Sequence, residues 1–126
     1  MVAMYSVKVE TRFSSSHHLT GYEGNCSRLH GHNWRVVVEV AGSKLNEIGM
    51  LVDFTQLKGK LDEIARELDH IVLNDHPYFQ SSGLNPTAEN LASFFYSSLQ
   101  GNFGDNRVLR VEVYETEDSV AAYVPD

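Results

Sequence analysis

Two stretches of alternating apolar and polar residues limit what this chain can fold into. Between Tyr5 and Phe13, the odd-numbered positions carry apolar or β-branched residues and the even-numbered ones carry polar or charged residues. A similar period of two returns between Trp34 and Val40. Because successive side chains of an extended strand point to opposite faces, each stretch predicts a half-buried β-strand. We expect the two strands to pair antiparallel.

Helical periodicity replaces this alternation in the middle of the chain. Asp53 is a suitable N-cap for an amphipathic helix over about 54–68. A loop that contains Pro77 is expected to follow. Asn85-Pro86 then resembles an N-cap with proline in the first turn, and apolar residues at helical spacing over 88–99 predict a second helix.

Two further strands are predicted near the end of the chain, Arg107–Tyr114 and Val120–Val124. Three residues of the first of these are expected to face the core: Leu109, Val111 and Val113. Glu115 inherits the same inward parity, and a buried carboxylate needs a partner. The alternative is an edge-strand carboxylate that faces solvent. The order ββααββ predicts a single α+β domain over 1–126, with both helices on one face of an antiparallel sheet.

The composition excludes several classes of function. With 126 residues, 42% of them hydrophobic, the chain is typical of one ordinary globular domain. A net charge of −7 and scattered basic residues argue against nucleic-acid binding. The sequence contains neither a recognisable signal peptide nor an apolar run long enough to cross a membrane, so we expect a cytoplasmic protein without a membrane partner.

A His-Gly-His triplet precedes the second strand and suggests a metal site. Extending the strand backwards places His30 and His32 on the face of Trp34, and His17 shares the inward parity of the first strand. A bulge in the intervening serine run could break that count, and His18 is the rival third ligand. Three imidazoles with an open fourth position are typical of catalytic zinc. The opposing interpretation is that all six histidines are structural.

Three further residues are candidates for proton transfer. Cys26 is the single cysteine, so it cannot form an internal disulfide. It could be a buried thiol, an intermolecular disulfide partner, a fourth ligand or a reactive thiolate near Arg28. Asp69 and His70 follow the first predicted helix. Such a pair is often surface decoration, but an Asp-His couple is also how a proton relay is built.

Six segments in order carry a further signal: Phe13–His17, Cys26–Asn33, Gly49–Phe54, Leu68–His70 with Leu73-Asn74, Asn85–Asn90 and Tyr114–Thr116. Together they resemble the 6-pyruvoyltetrahydropterin synthase superfamily, over nearly the whole chain. The spacing between the cysteine and the His-Gly-His triplet is more similar to that of the bacterial 6-carboxytetrahydropterin synthases of the queuosine pathway.

The resemblance implies a T-fold: a four-stranded antiparallel sheet with two helices, closed into a barrel by oligomerisation. The implied assembly is a homohexamer made of two trimers. The implied substrate is 7,8-dihydroneopterin triphosphate, and the implied products of the carboxy branch are 6-carboxytetrahydropterin, triphosphate and acetaldehyde.

The resemblance also implies roles for individual residues. The zinc ligands would be His17, His30 and His32. Cys26 would be the base, with Asp69 and His70 as the opposing proton relay. The pterin would be bound by Glu115 and positioned by Thr87.

One departure from the family pattern concerns His18, where relatives often carry arginine; this raises the question of how the triphosphate tail is held. Two alternatives to the carboxy reaction stay open. One is a related enzyme that forms the pyruvoyl or the hydroxymethyl product, and the other is a zinc- and pterin-binding module without turnover.

Overall fold

The alternating segments form one antiparallel sheet with helices packed on one of its faces. The computed structural model describes residues 4–24 and 27–126. The sheet has the order β1-β2-β3-β4, with strands β1 (Tyr5–His17), β2 (His30–Gly42), β3 (Arg107–Thr116) and β4 (Ser119–Tyr123). Between β2 and β3 lie the helices α1 (Phe54–Leu68), α2 (Pro77–Ser82) and α3 (Ala88–Leu99) and a 3-10 turn, Leu73–Asp75.

The first strand is longer than its alternating segment suggests. Pairing with β2 continues past Phe13↔Trp34 to His17↔His30 without a register shift. The serine run therefore contains no bulge, and Ser15 and His17 keep the inward parity of Phe13. Because the register is unbroken, the end of β1 that carries His17 lies beside the start of β2, which carries His30 and His32.

The prediction for the third strand was wrong at one inward position. The pairing of β2 with β3 shifts between Glu39 and Val40, where Val40 faces Val108. Leu109 is the extra residue of this bulge and is only half-buried, whereas Val108 is buried. Such a bulge inserts one extra residue into the strand, so the side chains before and after it no longer alternate in one continuous pattern. Val111 and Val113 are buried as predicted.

The helical part of the chain contains one helix more than predicted. The first helix spans the predicted residues, and Asp53 accepts a hydrogen bond from the Thr55 backbone N–H (2.8 Å). The segment after it, predicted as a loop, contains α2: Pro77 occupies its first turn and the His76 imidazole accepts a bond from Tyr78 N–H. Gly83, with φ of 71°, ends this helix.

The N-cap of α3 is Thr87 and not Asn85. The Thr87 hydroxyl accepts a hydrogen bond from the Asn90 backbone N–H at 3.1 Å. Asn85 is instead occupied in contacts with another segment, described below, so its side chain is not available as a cap. The helix therefore begins two residues later than a cap at Asn85 would place it.

The core lies between the sheet and the helices α1 and α3. Helix α1 packs against β1, and α3 packs against β3 and β4. The largest fully buried apolar side chains are Trp34, Phe95, Leu57, Leu61, Leu68, Leu73, Leu91 and Leu99. Within residues 4–24 and 27–126, no helix has the length and apolar character that crossing a membrane requires.

Candidate metal centre and active site

Three histidines converge where β1 and β2 end. His17 lies opposite His30, and His32 lies opposite Ser15, so all three imidazoles point to the helix-covered face of the sheet. One ring nitrogen of each lies within 4.8 Å of the other two. His17 is buried, and the other two are half-buried. The structure thus brings together the three residues that strand parity selected.

The hydrogen bonds of two of these histidines fix their tautomers. His17 Nδ1 lies 2.7 Å from the carbonyl oxygen of Pro86, and His30 Nδ1 lies 2.6 Å from that of Arg28. A carbonyl only accepts, so both Nδ1 atoms carry the proton and both Nε2 atoms of the neutral rings carry a lone pair. These two Nε2 atoms are 3.1 Å apart. Two facing lone pairs repel each other, and a cation between them removes the repulsion.

The third histidine supports the same interpretation. His32 Nε2 is buried and has no hydrogen-bond partner among the residues that the structure describes. Burial lowers the pKa of both His17 and His32, and neutral imidazole is the form that binds metal. Tetrahedral zinc with Zn–N bonds of about 2.0–2.1 Å requires nitrogens about 3.3 Å apart, close to the observed separation of the two Nε2 atoms. The donor set therefore fits a metal ion.

Glu115 completes the wall of this centre. Its two carboxylate oxygens lie 3.7 Å from His32 Nε2 and 3.8 Å from His17 Nε2. Both separations are too long for a hydrogen bond, so neither imidazole donates to this carboxylate. The side chain is 30% exposed. The inward parity of Glu115 thus brings an acceptor group to the histidine cluster and leaves it accessible to a ligand.

Two asparagines hold the backbone that follows His17. Asn74 accepts from the His18 N–H (3.0 Å) and donates to the His18 carbonyl (2.9 Å). Asn85 makes the same pair of bonds with Thr20, both at 2.9 Å. Each amide therefore imitates a neighbouring strand beyond the end of β1. We call these two residues the asparagine clamp.

The clamp was missed in the sequence. Leu73-Asn74 and Asn85-Pro86 stood out as motifs, but their partners lie 56 and 65 residues away along the chain. The same applies to the Pro86 carbonyl, which fixes the ring of His17. An asparagine next to a helix start suggests a local cap, and no local pattern indicates a distant backbone partner.

We expect Asn85→Ala to weaken metal binding by about tenfold. The substitution removes two hydrogen bonds, worth about 1 kcal/mol each, that hold the chain three residues after His17. Competition with a chromophoric chelator measures the affinity. Asn102→Ala is the matched control, because Asn102 donates to carbonyls at the far end of α3, about 18 Å along that helix. Equal losses in both variants would show that the clamp does not position His17.

Asp69 and His70 lie at the outer edge of β1. Asp69 Oδ1 accepts from Ser14 N–H (2.9 Å), Asp69 Oδ2 lies 2.8 Å from His70 Nδ1, and His70 N–H donates to Ser14 O (2.6 Å). Two hydrogen bonds lower the pKa of the Asp69 carboxyl: the bond from the Ser14 backbone has the larger effect, and the bond from His70 the smaller one. The Asp69 and His70 side chains thus contact each other. The His70 side chain is 80% exposed, and Ser14 lies three residues, about 10 Å of strand, from His17.

The remaining predicted site residues are placed as follows. Thr87 caps α3 directly after Pro86, which contacts His17. His18 is not part of the histidine cluster, since its neighbour His17 provides the third ring. Cys26 lies outside the described residues. A cavity of about 390 Å³ is lined by His32 and Glu115, whose side chains face the helices, and by residues of the opposite sheet face such as Arg12 and Arg35.

The lowered pKa values of His17 and His32 predict a pH dependence for the metal-free protein. Both folded-state values lie below the ordinary 6.5, so the unfolded chain binds more protons just below that pH. This contribution to stability is complete above pH 6.5 and is lost as the pH falls through the folded-state values. Urea unfolding of metal-free protein between pH 7.5 and 5 measures it. A free energy of unfolding that is constant over this range would contradict the assignment of buried neutral rings.

The sequence matches known proteins over nearly its full length. The family described as 6-pyruvoyl tetrahydropterin synthase matches residues 6–126. The 6-carboxy-5,6,7,8-tetrahydropterin synthase of Synechocystis is 40% identical over 126 residues, covering 95% of this chain and 93% of that protein. The human 6-pyruvoyl tetrahydrobiopterin synthase is 33% identical over 122 residues, covering 94% and 83%.

The fold agrees with these sequence matches. The structure of Caenorhabditis elegans 6-pyruvoyl tetrahydropterin synthase superposes with a TM-score of 0.84 and covers 99% of this chain and 98% of the other, at 22% sequence identity. The T-fold that the resemblance implies is therefore confirmed for the single chain, as a four-stranded antiparallel sheet with helices on one face. With the histidine cluster in place and a family match that spans residues 6–126, the chain belongs to the 6-pyruvoyl tetrahydropterin synthase family.

Proposed function

We propose that this protein is a zinc-dependent 6-carboxy-5,6,7,8-tetrahydropterin synthase. It would convert 7,8-dihydroneopterin triphosphate to 6-carboxytetrahydropterin, with loss of triphosphate and acetaldehyde. The observation that carries the proposal is the set of three converging histidine nitrogens, in a chain 40% identical to a relative of that name. A cytoplasmic location and a place in queuosine biosynthesis are parts of the same proposal.

Zinc is the metal that this donor set favours. Three imidazoles leave a fourth position for a substrate oxygen, as catalytic zinc sites do. When bound, zinc would polarise the hydroxyl groups of the substrate side chain and make the protons on their carbons more acidic. The backbone carbonyls that fix the tautomers of His17 and His30 leave both Nε2 lone pairs available, so these two residues would hold the ion through Nε2.

Pterin recognition is assigned to Glu115, with Thr87 near the ring. The amino group and ring N–H of a pterin are donors, and the Glu115 carboxylate is an acceptor beside the metal centre. Such a pairing orients the substrate, because a site built around these donors rejects analogues that lack them. The Thr87 hydroxyl oxygen accepts the hydrogen bond that caps α3, and the hydroxyl proton is still available to donate to a ligand.

Proton transfer is assigned to Cys26 and to the Asp69–His70 couple. Cys26 would take the proton from the activated carbon, the role that the family resemblance implies for it. Asp69, whose lowered pKa keeps the carboxyl ionised to a lower pH than usual, would orient the His70 ring through Nδ1. Because His70 is exposed at the edge of β1, we propose that this relay meets the metal centre of a neighbouring subunit.

A homo-oligomer is therefore part of the proposal. Strands β1 and β4 are the two edges of the sheet, and exposed edges invite pairing. Exposed apolar side chains lie close to both edges, with Met4 and Tyr5 on the first and Val120 and Val124 on the second. Closing the sheets of three copies into a barrel would cover these edges, and a hexamer would join two such trimers.

A second candidate is the pyruvoyl-forming reaction on the same substrate. It is favoured by the 33% identity to the human protein named 6-pyruvoyl tetrahydrobiopterin synthase. Both candidates would use the same metal, base and relay, so only their products distinguish them. The hydroxymethyl-forming reaction is a further variant of this chemistry.

Metal-dependent turnover separates an enzyme from a binding module without turnover. Protein stripped with a chelator should consume 7,8-dihydroneopterin triphosphate at least about 10²-fold more slowly than zinc-loaded protein. Adding one zinc ion per chain should restore the rate. Binding of the substrate without consumption, in zinc-loaded protein, would support the binding module and contradict the proposed enzyme.

A further inference from the structure

Two arginines lie side by side on the sheet face opposite the helices. Arg12 on β1 and Arg35 on β2 are direct cross-strand partners. Like charges in directly opposite positions destabilise a sheet. The pair therefore calls for a reason other than the stability of the fold, such as an anionic ligand that both guanidinium groups bind.

The two arginines share one carboxylate neighbour, Glu10, which is too far from either guanidinium for a short hydrogen bond. Glu10 lies 3.5 Å from an Arg12 nitrogen and 3.9 Å from an Arg35 nitrogen. Charge-assisted hydrogen bonds between such groups are typically about 2.7–2.9 Å long. Neither guanidinium therefore makes a short, two-point bond with Glu10, and both keep donors for an acceptor of higher charge.

The two side chains differ in how firmly they are held. The Arg35 guanidinium lies over the Tyr114 ring, 3.7 Å from its centre, and the side chain is 28% exposed. The Arg12 side chain is 71% exposed. Arg35 thus presents a donor fork fixed by stacking, while Arg12 can adjust to the ligand.

The cavity lined by these arginines reaches the proposed catalytic site. His32 and Glu115, whose side chains face the helices, line the same cavity of about 390 Å³ as Arg12 and Arg35. Strand β2 pairs with β3 only as far as Arg35↔Tyr114, so the part of β2 that carries His32 is not covered by β3. A substrate that meets Glu115 with its pterin and the histidines with its hydroxyls can therefore extend its tail toward Arg12 and Arg35. Glu117 also lines the cavity, but it is an exposed residue of the β3–β4 turn.

We propose that Arg12 and Arg35 bind the polyphosphate tail of the substrate. This inference rests on the proposed function, and it supplies the cations that His18 does not provide. The triphosphate approaches a chain of net charge −7, so local cations must offset the overall repulsion. On binding, the phosphate oxygens would replace Glu10 as the partner of both guanidinium groups.

Binding of inorganic triphosphate to the full-length protein tests the site without turnover. Calorimetry at low salt should show about tenfold weaker binding in Arg35→Gln, the loss of one two-point charged contact, and a smaller loss in Arg12→Gln. Arg35→Lys should stay weaker than the wild type, because an ammonium lacks the planar fork. Glu10→Gln should bind about threefold more tightly, since it removes the competing carboxylate.

The matched control is Lys8→Gln, which makes the same change in net charge. Lys8 lies on the same strand and face, about 13 Å from Arg12, and does not line the cavity. Its affinity for triphosphate should equal that of the wild type. Equal weakening in Lys8→Gln and Arg35→Gln, in variants with unchanged thermal unfolding, would overturn the proposal.

A parallel measurement with the substrate separates this inference from the proposed function. For an active enzyme, Arg35→Gln should raise KM for 7,8-dihydroneopterin triphosphate and leave the affinity for phosphate-free dihydroneopterin unchanged. Turnover with an unaltered KM in Arg35→Gln would overturn the anion site alone. Arginine-dependent triphosphate binding in a protein without turnover would support the anion site and overturn the proposed reaction.

Discussion

His32→Ala should abolish stoichiometric metal binding and reduce turnover to the level of the metal-free protein. Two imidazoles remain in this variant, and loss of one of three protein ligands from a zinc site should weaken binding by at least about 10²-fold. The fold should survive, because His17 keeps its bond to Pro86 and His30 its bond to Arg28. Metal content after dialysis, with cobalt spectra of the refilled site, measures the effect.

His18→Ala is the control for this experiment. His18 is the neighbour that the sequence offered as a rival third ligand, and its described bonds are made by its backbone with Asn74. The variant should keep one metal ion per chain and the wild-type cobalt spectrum. Metal loss in His18→Ala together with retention in His32→Ala would contradict the ligand set.

Cys26→Ala should keep zinc and pterin binding and lose turnover by a factor of at least about 10². The three histidines supply the metal site without the thiol, so the metal content should not change. Loss of the base affects the chemical step, which places the effect on kcat rather than KM. Steady-state kinetics with zinc-replete protein measures it, and Cys26→Ser tests whether a hydroxyl can substitute.

Unchanged kcat in Cys26→Ala would contradict the role of Cys26 as base. Loss of zinc in the same variant would instead identify the thiol as a fourth ligand, the alternative that the sequence leaves open. Because the chain has no other cysteine, alkylation of the wild type is an independent check. Treatment with iodoacetamide should inactivate the enzyme at the rate at which one alkyl group is incorporated.

Strand parity predicted most of the histidine cluster. Residues two apart on an extended strand share a face, which fixed the orientation of His30 and His32 relative to Trp34. His17 followed because the serine run carries no bulge, a point that the sequence alone left open. The inward position of Glu115 was found by the same count.

Features that depend on distant contacts were not predictable in this way. The Asn85 side chain pairs with Thr20, 65 residues away, so the local cap was assigned to the wrong residue. The bulge that turns Val108 instead of Leu109 toward the core depends on the register of β2 against β3. The short helix α2 begins with a histidine cap, which the usual preference for Ser, Thr, Asp and Asn does not anticipate.

The identity of the products tests the central claim most directly. Zinc-loaded protein incubated with 7,8-dihydroneopterin triphosphate should release acetaldehyde and 6-carboxytetrahydropterin in equal amounts, together with triphosphate. Trapping of the aldehyde and mass analysis of the pterin measure both products in one reaction. A pyruvoyl pterin formed without acetaldehyde would contradict the carboxy assignment and support the second candidate.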